Sequence, residues 1–363
     1  MGLAHRLAYR ALRPWLFRLD AERAHDLVMS ALSEAGPAMI RHAVRLERID
    51  DPVTVAGVRF PNRVGLAAGP DKEARCLPAL ASMGVGFIEV GSVAPQGEAW
   101  PDPAPRIHRF PQVQALINRI GLHQGGVEAL CTTLAACPWP IDPRAVVPVR
   151  VGVNLACNRT TSAADAVSDY AQGMRATLQW ADYFTINVSN PNVPNQPVPQ
   201  GRDELGCWLA AIDQIRTELS DSTGRTPPVF LKLSPDLDAP ARRALCEALL
   251  AQRDKIAGEA LRWGVVVSNT SMRREAVQGM PYADLRGGLS GAPLRDRVNR
   301  LVSEMRTWLG KEIPIIGVGG VMRGKDALER IDAGADLIQI YTGLIYRGPD
   351  LVRDIASALC DRP

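Results

Sequence analysis

The sequence lacks the features that mark several large classes of protein. Its seven cysteines are scattered and include no CxxC pair, which argues against a disulfide framework or a zinc site and fits a reducing cytoplasm. No uninterrupted apolar run is long enough to span a bilayer. Arginines interrupt the apolar residues of the N-terminus, so no signal peptide is expected. The net charge of +3 gives no indication of nucleic acid binding.

What is present is typical of an ordinary globular protein. Hydrophobic residues make up 46% of the chain and charged residues 22%, which are average values. The 363 residues suffice for one large α/β barrel or for two medium-sized domains. The order of apolar runs along the chain distinguishes one barrel from two domains.

The N-terminal stretch differs from the rest of the chain. Residues 3–19 read LAHRLAYRALRPWLFRL, with apolar residues at helical spacing, interleaved arginines and no acidic residue before Asp20. A basic amphipathic segment with Trp and Phe is typical of an interfacial membrane helix. The alternative is a helix packed on the protein with solvated arginines, and the residues alone leave both open. A second helix is predicted from Ala21 to about Ala35, where Gly36-Pro37 ends it.

From about residue 50, short β-rich apolar runs alternate with longer helical segments. The eight runs are RVGLAAG (63–69), FIEVGSV (87–93), VRVGVNL (149–155), YFTINVS (183–189), VFLKLSP (229–235), GVVVSNT (264–270), IPIIGVGG (313–320) and LIQIYTG (337–343). Near-continuous apolar strands indicate a parallel sheet buried on both faces. Helical patterns such as 203–219 and 292–310 lie between most of them. Eight such units predict a (β/α)₈ TIM barrel. A doubly wound sheet is disfavoured because no GxGxxG opens the first unit.

Polar residues and glycines collect at the C-terminal ends of the predicted strands. They are Lys72, Ser92, Asn154, Asn187, Lys232, Asn269, Thr270, Gly319, Gly320, Tyr341 and Thr342. Active sites of this fold lie on that face. An amide or lysine that ends a buried strand needs a ligand or a partner, because it cannot be solvated cheaply there. One such residue is easily a structural cap, but six strands with the same feature indicate a binding site.

Three glycine-rich turns indicate a phosphate-bearing cofactor. GVGG (317–320) and YTG (341–343) follow the last two strands, and GGLSG (287–291) follows the sixth. Glycines after strands seven and eight let backbone N–H groups approach a phosphate, the usual phosphate site of this barrel. Lys232 is centred in the apolar strand FLKLSP. It must therefore face the barrel mouth or form an ion pair, and beside a flavin its charge would tune the cofactor.

The ordered motifs resemble the class 2, quinone-dependent dihydroorotate dehydrogenases over nearly the whole barrel. The matching segments are PNRVGLAAGPDK (61–72), EVGSV (89–93), APRIHRF (104–110), INRIGL (117–122), GVNL (152–155), INVSNPN (186–192), LKLSPD (231–236), SNT (268–270), GGLSG (287–291), PIIGVGG (314–320) and QIYTG (339–343). As an ordered set they are highly specific. The resemblance implies an FMN-dependent oxidoreductase acting on CH–CH groups.

The resemblance also implies roles for individual residues. FMN would contact Ala67, Ala68, Gly69, Ser92, Asn154, Asn187, Lys232, Ser268, Gly291, Gly320, Tyr341 and Thr342. The carboxylated pyrimidine substrate would contact Lys72, Asn118, Asn187, Asn192, Asn269 and Thr270. These types suit a cyclic diamide, because asparagine both donates and accepts hydrogen bonds. A quinone would lie near His25, Arg106 and Tyr341.

The same resemblance predicts how the chain is organised and where it acts. Residues 1–48 would be an amphipathic helical segment that covers a quinone tunnel and contacts the membrane, and 49–363 the FMN-binding barrel. This favours the membrane interpretation of the N-terminus. The protein is expected to be a monomer without a nucleic acid partner, held peripherally on the cytoplasmic face of the inner membrane.

The catalytic-base loop departs from the family. The family reaction removes a proton from C5 of the substrate while hydride passes from C6 to the flavin, and class 2 members use a serine base in a segment like N-x-S-S-P-N-T. Here the segment reads NVSNPNV (187–193), so Asn190 stands at the base position and Val193 replaces the threonine. An amide is no useful base near neutral pH, and a contribution of about 10²–10⁴-fold in rate would be lost. Ser189 is offset by one residue, and an extended chain would point it to the opposite side.

A second departure lies at NRIGLHQ (118–124), where the family has N-R-x-G-F-N-N. Leu122 replaces the phenylalanine that shapes the proton path, and His123 is new. His123 is a candidate replacement base because histidine titrates near neutral pH; the simpler alternative is a loop histidine without substrate contact. The candidate catalytic positions are thus Asn190, Lys72 and His123. Cys157 is disfavoured, because related flavoenzymes carry their active-site cysteine on another loop.

Three hypotheses follow. The first is a divergent family member that acts on another amide-bearing substrate, with or without a carboxylate, and passes electrons to a quinone. The second is a working dihydroorotate dehydrogenase with a substitute base such as His123. The third is a flavin-binding protein without catalysis, against which Lys72, Lys232 and Tyr341 argue. A phosphate-sugar lyase on the same barrel would not explain the quinone-side residues.

Overall fold

Eight parallel strands close into a barrel in the computed structural model, which describes residues 2–33, 44–99, 103–137, 146–189, 202–255 and 263–362. In ring order the barrel strands are β3 (Val64–Leu66), β4 (Phe87–Val93), β9 (Arg150–Leu155), β10 (Tyr183–Asn187), β11 (Val229–Leu233), β12 (Trp263–Val267), β14 (Ile315–Val318) and β15 (Leu337–Ile340). Each barrel strand falls within, or within one residue of, one of the eight predicted runs. The prediction of a (β/α)₈ barrel is therefore confirmed.

Helices follow most barrel strands and cover the outside of the ring. They are α1 (Gly2–Leu16), α2 (Ala21–Leu32), α3 (Leu77–Ala81), α4 (Gly126–Ala136), α5 (Ala166–Thr177), α6 (Arg202–Thr223), α7 (Ala239–Lys255), α8 (Arg295–Leu309), α9 (Gly324–Asp332), α10 (Thr342–Arg347) and α11 (Asp350–Cys360). The predicted segment 292–310 divides into a 3₁₀ turn at Ala292–Leu294 and α8. Two apolar layers, one between helices and strands and one inside the ring, form the core.

Aromatic rings fill the barrel interior, and glycines on neighbouring strands make room for them. The rings of Phe87 and Tyr183 meet edge to face with centroids 6.2 Å apart, and Phe60 contacts both. A side chain at Gly152 would overlap the Tyr183 ring, and one at Gly65 would overlap Phe87. Alternating large and small residues thus pack the interior as a core rather than a pore. The hairpin β1 (Val53–Val55) and β2 (Val58–Phe60) closes the N-terminal end.

Additional antiparallel strands lie in the loops beyond the barrel strands. β6 (Ile107–Phe110), β7 (Ala115–Asn118) and β13 (Gly288–Gly291) form one sheet, and β5 (Gln96–Glu98) pairs with β8 (Gln124–Gly125). The prediction of a glycine-rich turn at 287–291 was therefore wrong, because most of this segment pairs with β7 as a strand. Its partner lies about 170 residues earlier in the sequence, and a local pattern does not reveal such pairing.

The N-terminal helices dock onto the last helices and onto the β6 region. The Tyr9 hydroxyl donates to the Ile345 carbonyl over 2.6 Å, and Arg13 donates to the Tyr346 carbonyl over 2.8 Å. The rings of Phe17 and Tyr346 meet edge to face at 5.4 Å. No described helix is both long and apolar enough to cross a membrane. A set of large apolar side chains on α1, α2 and the turn between them stays exposed, namely Leu12, Trp15, Leu19 and Leu27.

Candidate active site

A cleft opens at the C-terminal ends of the barrel strands, with a volume of about 1020 Å³ counted out to its mouth. The loops after β3, β4, β10, β11, β12, β14 and β15 supply its walls, together with β7 and β13. All residues predicted to contact the cofactor line this cleft except Asn154. Lys72, Asn118, Asn269 and Thr270 also line it. The fold thus brings the described members of the two predicted groups, apart from Asn154, into one cavity.

One end of the cleft is a cradle of backbone with little room for side chains. Gly320 has φ +78°, and a Cβ there would lie 2.8 Å from the Arg295 Cβ and closer still to the Arg295 backbone. Gly291 has φ +105° and is equally crowded. Beside it, the Thr342 hydroxyl donates to Ser290 Oγ over 2.8 Å. Bare backbone and paired hydroxyls after the last two barrel strands suit a phosphate group. Ser290 was not predicted.

The floor of the cleft contains a buried ion pair. Lys232 Nζ lies 3.9 Å from Glu89 Oε1, and both side chains are buried. Burial lowers the pKa of Lys232, and the nearby Glu89 carboxylate acts in the opposite direction. Gln339 also lines the floor, and its Oε1 has no hydrogen-bond partner among the described residues. Sequence reasoning missed Glu89 and Gln339, although a glutamate inside the apolar strand FIEVGSV was a visible signal.

Four described side chains donate hydrogen bonds to Glu89. Asn154 Nδ2 donates to Oε1 over 2.7 Å. Gln339 Nε2, Thr185 Oγ1 and Tyr183 OH donate to Oε2 over 2.7, 2.9 and 3.3 Å. Asn154 is therefore not a cleft-lining residue: it lies behind Ser92, whose hydroxyl donates to Asn154 Oδ1.

Amide side chains join the floor to the substrate side. Asn187 Nδ2 donates to Ser92 Oγ over 2.9 Å, and Asn187 Oδ1 accepts from Ser189 Oγ over 3.1 Å. Asn269 Nδ2 donates to Ser189 Oγ over 3.0 Å. The expectation that Ser189 points away from position 190 stays a prediction, because Asn190 lies outside the described residues. The contact of Ser189 with Asn187, two residues earlier, is what an extended chain gives.

Lys72 stands at the mouth of the cleft with its ammonium fixed by backbone. Nζ donates to the carbonyls of Gly121 over 2.7 Å and of His123 over 3.1 Å. Burial, with a smaller contribution from the Arg106 charge, lowers the pKa of Lys72 to about 8. Asp71 holds the loop by accepting from the backbone N–H groups of Arg75 and Cys76. A lysine presented in this way can bind an anionic group on a ligand.

The remaining predicted residues lie around or outside this centre. Asn190 and Asn192 lie outside the described residues. His123 is exposed and is absent from the cleft lining; its carbonyl, rather than its ring, contacts Lys72. Cys157 is buried facing α5, with its thiol 3.9 Å from the Ala166 carbonyl, and burial raises its pKa to about 12. A buried thiol with a raised pKa stays protonated near neutral pH and is a weak nucleophile.

The predicted quinone-side residues lie where α2 meets the barrel. Arg106 Nε donates to Glu22 Oε1 over 2.8 Å, and the Arg106 backbone N–H donates to Glu22 Oε2 over 2.7 Å. Burial lowers the pKa of His25, and the charges acting on that residue include those of Lys72 and Glu22. Tyr341 lines the cleft itself. Helix α2 thus places His25 close enough to Lys72 for the two charges to interact.

The cleft fits FMN on the basis of its own groups. The crowded glycines form a cradle for a phosphate, Lys232 places a charge on the floor, and Gln339 offers an unused acceptor. Backbone amides and a buried cation are the elements by which proteins hold and tune a phosphorylated flavin. The fold and site thus define the class, a flavin-dependent oxidoreductase on a (β/α)₈ barrel.

Comparison with known proteins identifies the family. The sequence profile of the family described as "Dihydroorotate dehydrogenase" matches residues 52–362. The "Dihydroorotate dehydrogenase (quinone)" of Delftia acidovorans is 42% identical over 353 residues, covering 97% of this chain and 98% of the relative. That of Verminephrobacter eiseniae is 44% identical over 353 residues, covering 97% and 95%. The chain belongs to the dihydroorotate dehydrogenase family, whose members are FMN-dependent oxidoreductases acting on CH–CH groups.

Solved structures agree with this assignment. The ligand-free dihydroorotate dehydrogenase of Eimeria tenella superposes with a TM-score of 0.82 at 32% identity, covering 94% of both chains. The complex of the Eimeria tenella enzyme with ferulenol gives a TM-score of 0.80 at 31% identity, covering 93% of this chain and 90% of the other. The resemblance to class 2 enzymes, the FMN cofactor and the oxidoreductase class are therefore confirmed.

Proposed function

We propose that the protein is an FMN-dependent dehydrogenase of a carboxylated cyclic amide related to dihydroorotate, that a membrane quinone accepts its electrons, and that its own substrate is not dihydroorotate. The proposal is based on a difference between the predicted ligand-binding residues, which are present, and the base position, which is changed. Lys72, Asn118, Asn187, Asn269 and Thr270 line the flavin cleft, whereas the sequence places Asn190 where the family has its serine base.

The groups present favour a ligand with one carboxylate and several amides. The Lys72 ammonium, anchored by two carbonyls, still has one N–H for a carboxylate. Asn118 and Asn269 line the cleft, and an asparagine side chain can both donate to and accept from a planar amide ring. FMN, when bound, supplies the hydride chemistry. The residues bind the substrate, orient it and exclude water.

This chain differs from its relatives at the residue that would remove a proton from the substrate. Asn190 does not accept a proton near neutral pH, and general-base catalysis contributes about 10²–10⁴-fold in rate. A substrate with a more acidic C–H bond, or one that needs no proton removal at that carbon, would not require this contribution. The change at Asn190 therefore points to a related but different substrate.

A second candidate function is dihydroorotate dehydrogenation itself with a substitute base. Identity of 42–44% with enzymes named for that reaction favours it. His123 is the first replacement to consider, although its ring does not line the cleft. The Ser189 hydroxyl is a second replacement, because it lies within hydrogen-bond distance of both Asn187 and Asn269.

Anaerobic mixing of the purified yellow protein with dihydroorotate separates the two candidates. We expect no rapid bleaching of the flavin absorption, while orotate still perturbs the flavin spectrum because the ring-binding groups are present. Bleaching at rates normal for the family would refute the different substrate and support the second candidate. In that case, loss of bleaching in His123→Ala or in Ser189→Ala would identify the base.

The membrane side of the proposal rests on residues 1–48. Exposed Trp15 and Leu12 lie on a helix with exposed Arg10 and Arg18 nearby, a combination that suits the interface of an anionic bilayer. His25, Arg106 and Tyr341 would line the quinone path beneath it. Trp15→Ser should reduce cosedimentation with anionic vesicles without changing reduction of a soluble electron acceptor. Equal sedimentation of both proteins would contradict this arrangement.

A further inference from the structure

No role was predicted from the sequence for the buried carboxylate of Glu89, yet it contacts Lys232 and Gln339, two side chains of the cleft floor. It lies on β4, below the cleft, and does not line it. Its two oxygens accept four hydrogen bonds from side chains on β9, β10 and β15. Because Glu89 connects four barrel strands, it also fixes the positions of the side chains that donate to it.

We propose that Glu89 is a positioning residue that sets the charge and the hydrogen-bond direction of the FMN cleft. It does so through two routes. One is its ion pair with Lys232, and the other is a chain of hydrogen bonds from Asn154 through Ser92 to Asn187. Neither route requires Glu89 to touch the cofactor or the substrate.

The first route, the ion pair, follows from the burial of both charged side chains. The Lys232 ammonium is buried, and the Glu89 carboxylate lies 3.9 Å away. Burial favours the neutral amine, while the carboxylate favours the charged form. A buried lysine without a counter-charge loses its proton rather than remain charged in a low-dielectric interior. Glu89 therefore keeps a positive charge on the cleft floor, and that charge would favour electron uptake by FMN when it is bound.

The second route, the chain of hydrogen bonds, follows from which groups in it can donate and which can only accept. An ionised carboxylate only accepts hydrogen bonds. Asn154 must therefore turn its NH₂ towards Glu89 over 2.7 Å and its oxygen towards Ser92. The single hydroxyl proton of Ser92 is then used on Asn154, so Ser92 can only accept from Asn187, as it does over 2.9 Å. The carboxylate thus leaves the Asn187 oxygen as the acceptor on the substrate side.

The test of the first route is the midpoint potential of bound FMN in Glu89→Gln. The substitution keeps the size of the side chain and removes the charge, so Lys232 loses its proton and the potential becomes more negative than in the wild type. A potential equal to that of the wild type, or more positive, would overturn the proposal. If Glu89→Gln does not accumulate as holoprotein, Glu89→Asp serves instead. Its shorter side chain draws the carboxylate away from Lys232, and the potential should fall by less.

A matched control separates this role from a purely structural one. Asp213 is another buried carboxylate, paired with Arg216 and accepting from Gln252 over 2.8 Å and from Trp263 over 3.0 Å. Unlike Lys232 and Gln339 beside Glu89, none of these three partners lines the cleft. Asp213→Asn should lower the melting temperature and leave the FMN potential unchanged. If both variants shift the potential alike, Glu89 acts only through stability and the proposal fails.

The second route is tested by Asn154→Leu, which cuts the chain of hydrogen bonds but keeps the ion pair. We expect a changed visible spectrum of bound FMN and weaker orotate binding, with a potential near that of the wild type. An unchanged spectrum and unchanged orotate affinity would overturn this part. The inference rests on the FMN cofactor and not on the choice of substrate, so its failure and the failure of the proposed substrate are distinguishable.

Discussion

Replacing Gly320 by alanine tests the phosphate cradle most sharply. The added Cβ would lie 2.8 Å from the Arg295 Cβ and closer to the Arg295 backbone, where real contacts begin at about 3.4 Å. The loop must therefore move by more than half an ångström. Loss of one backbone hydrogen bond to a charged phosphate costs about 1.5–3 kcal/mol, which corresponds to about 10- to 150-fold weaker FMN binding. Fluorescence titration of the apoprotein with FMN measures this change.

Gly310→Ala is the matched control. Gly310 also has a left-handed φ of +67°, but no atom lies within 4 Å of the added carbon, and the residue ends α8 away from the cleft. Gly310→Ala should cost about 1–3 kcal/mol in unfolding free energy, because φ +67° with ψ −161° is a backbone region that essentially only glycine adopts. It should leave the FMN affinity unchanged. Wild-type FMN affinity in Gly320→Ala, or an equal loss in both variants, would refute the cradle.

Two further predictions concern Lys72 at the mouth of the cleft and Glu22 on α2. Lys72→Met should weaken orotate binding by about 10- to 150-fold, the value of one charge-assisted hydrogen bond. Because the pKa of Lys72 lies at about 8, orotate binding to the wild type should weaken as the pH rises through that value, and pH-independent binding would contradict this role. Glu22→Gln should speed hydrogen exchange in α2 by removing the charge partner of Arg106, worth about 1.5–3 kcal/mol. Burial opposes ionisation of Glu22, but Arg106 lowers its pKa overall, so protection of α2 in the wild type should be lost only as the pH falls through that lowered value.

The barrel could be predicted because its strands are buried on both faces and therefore appear as continuous apolar runs. The runs extended beyond the strands mainly at their C-terminal ends. In 63–69 only Val64–Leu66 is strand, because the following small residues bend into the cleft loops. The strand at Gly288–Gly291 was missed because glycine has a low strand propensity. Its partner β7 stabilises it there by long-range pairing.

The cleft-lining residues could be predicted because they follow the strands in register. The hydrogen bonds and ion pairs that hold these residues in place could not be predicted. Glu89 was visible as a charge in an apolar strand, but its donors on β9, β10 and β15 come from 65 to 250 residues away. The ion pair between Glu22 and Arg106 joins residues 84 apart. Only the closed barrel determines which of these distant side chains meet.

The central claim is that the cleft binds a ligand of the dihydroorotate class but lacks the serine base of the family. Introducing a serine at position 190 tests this claim most directly. Asn190→Ser and Asn190→Ala are mixed anaerobically with dihydroorotate, and flavin bleaching is followed beside the wild type. If the cleft binds this class of ligand and lacks only the base, the serine variant should bleach up to about 10²–10⁴-fold faster than the wild type, and the alanine variant should not. If the wild type already bleaches as fast as the serine variant, Asn190 does not limit the reaction, and dihydroorotate is the substrate after all.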